Sequence, residues 1–163
     1  MSRSAVCRPM KAGEEGEVCR LMERVFMEFV APGYPPEGVS EFLAVVDAEK
    51  MRRRVSAGNL VLVARGGNRL AGMIEVRDLS HVMLMFVDKA FQRQGIARRL
   101  FEAALSRCLE MRPDVKAVTV HSSPYAVAVY SRLGFEATGP EEFQSGMVFT
   151  PMRLNLSAAP ESP

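Results

Sequence analysis

Residues 83–100 read MLMFVDKAFQRQGIARRL. A nearly continuous apolar run, as expected of a strand buried on both faces, enters a short polar turn and leaves it directly as a helix. The turn holds Gln92, Arg93, Gln94, Gly95, Ile96 and Ala97. The first amides of a helix have no intrahelical acceptor, and the aligned peptides place roughly half a positive charge there. Gly95 and Ala97 are small enough to let an anion reach the backbone, and Arg93, Arg98 and Arg99 add formal charge. A phosphate or diphosphate suits that donor set. Two phosphate loops are excluded. A Walker loop needs Gly-Lys-Ser/Thr where this chain has Gly-Ile-Ala, and a dinucleotide fingerprint needs spaced glycines where only Gly95 occurs. Taken locally, the same residues also make a plain strand-to-helix connection with arginines in solvent.

Working outward, the helix runs over Gly95–Met111 and Pro113 stops it. The strand before the turn is His81–Val87. Two β-rich segments precede it, Asn59–Arg65 and Arg69–Arg77, joined by Gly66-Gly67-Asn68 as a hairpin. Downstream, Val115–Val120 is a β-branched strand. Pro124–Leu133 is a short helix with Ser123 as N-cap and Pro124 in its first position. Strands at Phe135–Ala137 and Met147–Leu154 close the chain. At the other end, Ala5–Met10 is a first strand. Glu14–Val30 is a helix with Val18, Leu21, Met22, Val25, Phe26 and Phe29 on one stripe. APGYPPEG breaks it, and two short helices end before Gly58. The order predicts a mixed α/β domain, an antiparallel meander followed by a βαβ unit, spanning residues 1–156. The Pro/Ser/Ala-rich tail, residues 157–163, is expected to be disordered.

Composition bounds the function. The chain has 163 residues, 48% hydrophobic and 25% charged, with a formal charge of +2, which argues against a dedicated nucleic-acid or membrane-surface binder. No apolar run approaches the ~20 residues of a membrane span, and the N-terminus lacks a secretory pattern. Cys7, Cys19 and Cys108 form no C-x-x-C pair and read as small buried residues, so a reducing cytoplasm is the expected setting. His81 and His121 are too few and too isolated for a His-rich metal site, and no metal is expected.

Gln92-Arg93-Gln94-Gly95-Ile96-Ala97 resembles the Gln/Arg-x-x-Gly-x-Gly/Ala signature of the GNAT superfamily of N-acetyltransferases. Ser122–Gly139, SSPYAVAVYSRLGFEATG, resembles that family's second signature, a small helix with a Tyr followed by Gly-Phe opening a strand. The element order matches as well, from Ala5 to about Leu156. The resemblance implies a GNAT-type fold: a central, mostly antiparallel mixed sheet, flanking helices and a splayed pair of parallel strands. It also implies acetyl-coenzyme A as cosubstrate. Backbone amides of Gln92, Arg93, Gln94, Gly95, Ile96, Ala97 and Arg98 would hold the diphosphate. Phe86 and Val87, on a bulged strand, would pair with the pantetheine arm. Many family members carry Asn where this chain has Ser123, a position that helps fix the arm; serine still caps the helix but reaches less far.

The implied chemistry is direct attack of a neutral amine on the thioester carbon. An oxyanion donor is then needed, with the backbone N–H near Val87 as candidate, and an acid for the departing thiolate, whose pKa lies near about 8.5. Tyr130 matches the tyrosine of the second signature; Tyr125 points to another side of the helix. The general base is open between Glu75 and His81, each of which also has an ordinary structural reading, as a solvent-facing strand residue and a strand-end histidine. His121 reads as a turn residue. Met73, Met83, Met85, Met147 and Met152 fall on strands around the acceptor side, where core filling is preferred over pocket lining. Arg52-Arg53-Arg54 reads as a solvated helix face. The expected acceptor is a primary amine of a small molecule or peptide. A non-catalytic acyl-coenzyme A sensor and a protein lysine acetyltransferase are the alternatives. Monomer and homodimer stay open.

Overall fold

Apolar periodicity switches between helical and strand spacing along the chain, and the computed structural model, which describes residues 5–156, follows those switches. Residues 157–163, the expected tail, lie outside the described range. Strand β1 (Val6–Pro9) leads into α1 (Glu15–Val25), α2 (Pro36–Val45) and α3 (Ala48–Ser56). The meander is β2 (Leu60–Gly66), β3 (Arg69–Arg77) and β4 (His81–Val87), followed by α4 (Ile96–Met111) and β5 (Ala117–Ser122). The chain then forms α5 (Val127–Arg132), β6 (Glu136–Ala137), β7 (Glu142–Gln144) and β8 (Met147–Asn155). The eight strands form one sheet in the order β1-β2-β3-β4-β5-β8-β6, with β7 on β8. Among the described residues, only β4 and β5 pair in parallel. This is the mixed, mostly antiparallel architecture expected, with β4–α4–β5 as its βαβ unit.

One core lies under α4, where Leu100, Ile96 and Phe101 pack on Ile74, Val82 and Val118. Gly72 permits this approach: a Cβ there would press on Leu100 and Ile96 and on the Phe86 carbonyl. The other core lies under α1–α3, where Met22, Phe26, Phe42 and Met51 cover Val63 and Met73.

Three local features differ from expectation. The first helix does not run uniformly to Val30: its last turn, Phe26–Val30, widens into a π-helix. β7 was not expected; Ser145 and Gly146, with φ of 54° and 78°, turn it back onto β8 as a hairpin. His121 lies within β5 rather than in a turn.

Candidate active site

The site starts with a misfit in the sheet. Opposite β3, Glu75 pairs with Leu84 and Val76 with Val82, so Met83 is an extra residue on β4. Pairing between β4 and β5 is confined to His81↔Thr119 and Val82↔Val120 and ends at that bulge. Beyond it the two strands diverge. The expected bulge therefore exists, but it sits at Met83, upstream of Phe86 and Val87.

The bulge also decides which peptides face the gap. Asp88 N donates to Ala71 O at 2.8 Å, so residue 88 faces β3. By antiparallel alternation Phe86 and Leu84 face β3 as well, whereas the peptides of Val87 and Met85 turn toward β5. Thr119 N donates to Ser80 O, which puts residues 80 and 82 on the β5 side before the bulge. One inserted residue thus swaps even for odd positions. For the backbone this corrects the expectation at Phe86: it is the peptide of Met85, alongside that of Val87, that faces the gap. The Phe86 side chain lines the cleft from the sheet face.

The gap continues into a cleft of about 940 Å³. At one end lies the loop after β4. Asp88 shapes it, accepting from Ala90 N (2.8 Å) and from Arg24 Nη2 (2.6 Å). Burial works against this carboxylate, but those two donors outweigh it and hold its pKa below the ordinary value. Gln92 Nε2 donates to Val87 O at 3.2 Å and Gln94 Nε2 to Ala90 O at 3.2 Å. Arg93 and Gly95 adopt positive φ, 64° and 78°. Alternating handedness of this kind turns successive N–H groups to one side as a nest. Among the described residues, the amides of Arg93, Gln94, Gly95, Ile96, Ala97 and Arg98 find no protein acceptor, whereas that of Gln92, expected among them, donates to Lys89 O at 3.4 Å. A diphosphate fits this donor set. Arg98 lines the cleft and donates to Arg132 O at 2.8 Å.

Tyr130 stands on α5 and lines the cleft with the α4-side core behind it; its ring meets Phe135 edge-on, with centroids 5.4 Å apart. Its hydroxyl has no hydrogen-bond partner among the described residues. Burial holds the phenol above its ordinary pKa, hence protonated at neutral pH. Ser123 caps the turn before α5, its Oγ accepting from Ala126 N at 3.3 Å, and also lines the cleft. Tyr125 does reach the mouth of the cleft, stacked on Phe29 at 5.3 Å.

The two base candidates separate. His81 lines the cleft beside His121, its Nδ1 2.8 Å from Thr119 Oγ1. Desolvation first, then the Arg77 charge and His121, push its pKa down to about 4. Glu75 is wholly buried, held by Arg54 (2.7 and 3.2 Å) and by Asn59 Nδ2 (2.9 Å). It reaches neither the cleft nor solvent, which removes the geometric basis for its role as base. Arg54 is correspondingly a half-buried partner of Glu75, not part of a solvated face. The methionines divide: Met73 and Met152 fill cores, while Met83, Met85 and Met147 line the cleft. The β7–β8 hairpin, missed in the sequence, supplies Gln144, Ser145, Met147 and Phe149 to the wall; the Ser145-Gly146 pair was its one turn signal.

A sequence model described as an acetyltransferase (GNAT) domain matches residues 30–156. Among solved structures, the chain resembles a GCN5-related N-acetyltransferase from Rhodopseudomonas palustris, 19% identical, covering 96% of this chain and 98% of that one with a TM-score of 0.78. It also resembles the PaiA N-acetyltransferase of Thermoplasma acidophilum in complex with coenzyme A (14% identical, 94% and 99% covered, TM-score 0.76). A third is the spermidine N-acetyltransferase of Vibrio cholerae in complex with coenzyme A and spermine (18%, 93% and 95%, TM-score 0.65).

Proposed function

We propose that this chain, which belongs to the GNAT family of acetyltransferases, moves an acetyl group from acetyl-coenzyme A to the primary amine of a small molecule. The observation that carries this reading is the run of unpartnered amides from Arg93 to Arg98, set at the mouth of a gap between two diverging strands. The amides and the helix α4 N-terminus bind the diphosphate, with Arg93 and Arg98 adding charge. The peptides of Met85 and Val87 face the pantetheine arm, and one of their two N–H groups meets the thioester oxygen as negative charge develops there. Ser123 contributes one hydroxyl at the same edge.

The amine enters as an ammonium and must first lose a proton. In the tautomer whose Nδ1–H donates to Thr119 Oγ1, His81 Nε2 is the open acceptor, and with its pKa held at about 4 it relays the proton to water rather than keeping it. The neutral nitrogen attacks the carbonyl carbon. A C–N bond forms, the C–S bond breaks, and the thiolate takes the Tyr130 proton. The second proton of the former ammonium nitrogen returns to Tyr130, so the products are an amide, free thiol and one released proton. A phenol above its ordinary pKa is a weak acid in water. The departing thiolate is desolvated in the same cleft and gains proton affinity in step with it.

The test is acetyl-coenzyme A turnover followed by thiol release over a panel of amines, with coenzyme binding measured separately. Turnover supports the reading. Tight coenzyme binding with no amine acetylated contradicts it and leaves a sensor on the same fold.

A further inference from the structure

The charge of the cleft is one-sided. Its charged lining among the described residues is Arg77, Arg93, Arg98 and Arg132; no Asp or Glu reaches it. Arg93 and Arg98 belong to the coenzyme end, where an anion offsets them. Arg77 lies at the other end, paired across the strands with His81. Neighbouring carboxylates are engaged by cations and do not line the cleft: Glu75 with Arg54, Asp88 with Arg24, Glu28 with Lys89 and Asp78 with Arg77.

The wall across from Tyr130 is apolar. Tyr130 packs with the core under α4, whereas Phe42, Phe86, Met83 and Met147 pack with the core under α1–α3. The π-helical turn adds Phe29, and β8 adds Phe149, whose ring lies over His121 at 4.4 Å. Two contacts close this wall. Tyr34 Oη donates to Val148 O at 3.0 Å, and Gly38 meets the Gly146 carbonyl so closely that a Cβ would collide.

From this lining we infer that, if the acetyl-transfer reading holds, the acceptor is an aryl-bearing primary amine with no second positive charge. A polyamine or aminoglycoside would bring further ammonium groups into a cleft whose lining offers no carboxylate to meet them. Such burial without a counter-ion is strongly unfavourable. A lone amine on an aromatic skeleton meets the opposite situation. Its ring packs on Phe and Met, and the apolar wall favours the neutral, nucleophilic nitrogen over the ammonium. The same surface that selects the ring therefore eases the first proton loss, which accounts for a site without a carboxylate base.

The experiment compares kcat/KM for phenethylamine, phenylalanine, hexylamine, spermidine, kanamycin and a lysine peptide, all with acetyl-coenzyme A. Phenethylamine or phenylalanine is expected to exceed spermidine and kanamycin at least 10-fold, and the contrast between those two aryl arms reads whether Arg77 welcomes a carboxylate. Met147→Glu, which places a carboxylate on the wall, is expected to narrow or invert that ratio, with coenzyme affinity as the control for folding. Preference for spermidine, kanamycin, hexylamine or the peptide overturns the acceptor inference while sustaining acetyl transfer. An aryl preference that Met147→Glu leaves unchanged, in a variant that still binds coenzyme, overturns the charge argument. Failure of every amine, with coenzyme bound, overturns the acetyl-transfer reading beneath it.

Discussion

Tyr130 and Glu75 show what a single side chain's surroundings decide. Tyr130 is packed against Phe135 except for the part that meets the cleft, so Tyr130→Phe keeps the packing and removes only the proton. Turnover is expected to fall about 100-fold, within the range for general acids, while coenzyme affinity stays within about twofold; equal turnover would refute the acid role. Glu75 is expected to behave oppositely. Arg54→Ala strands its charge in the interior and should cost about 3–5 kcal/mol in denaturant unfolding. Glu75→Gln should lower stability while leaving turnover per folded molecule nearly unchanged. The sequence named both residues but could not separate them. The position of Tyr130 on the short helix beside the cleft was legible because a local signature surrounds it. Glu75 was not, because its partner Arg54 lies on α3, 21 positions away, and the pairing is a property of the packed fold.

At the level of elements, the signals that were legible are those written in neighbouring residues. Gly67-Asn68 turns β2 into β3, Ser123 caps the turn before α5 through Ala126 N, and Gly95 stands at the start of α4. The position of the β4 bulge, the π-helical turn and β7 were not legible, since each depends on what packs across from it. Met83 is bulged only relative to β3, and Glu142–Gln144 is too short and too exposed to carry a strand pattern. Helix α2 and the β7–β8 hairpin meet at Gly38 and Gly146, where neither position has room for a side chain. Gly38→Ala is therefore expected to push the helix off the hairpin. KM for the acceptor should rise several-fold with coenzyme affinity intact; a matched loss of both would mean that the two ends of the cleft are not independent.

Across the whole molecule, titration of paired groups ties the fold to pH. Glu14 joins β1, β2 and the start of α1 through Arg8 and Arg65. The Arg8 hydrogen bond chiefly lowers its pKa from 4.5 to about 2. Its stabilising contribution is complete above pH 4.5 and lost as pH falls toward 2. His81, depressed from 6.5 to about 4, weakens the fold over a higher window, because the unfolded chain takes up a proton that the folded chain refuses. Urea unfolding from pH 7 to 2 should lose stability in both windows; Glu14→Gln should flatten the lower and His81→Gln the upper. The same organisation by charge governs the cleft, with free amides, Arg93 and Arg98 at the coenzyme end and an apolar wall across from Tyr130. Amide NMR tests this arrangement most directly. Adding coenzyme A should shift the Arg93–Arg98 amides most, with Met85 and Val87 following, while pantetheine, which lacks the diphosphate, should leave the loop amides in place. Loop amides unmoved by coenzyme A, with the largest shifts elsewhere, would contradict the account.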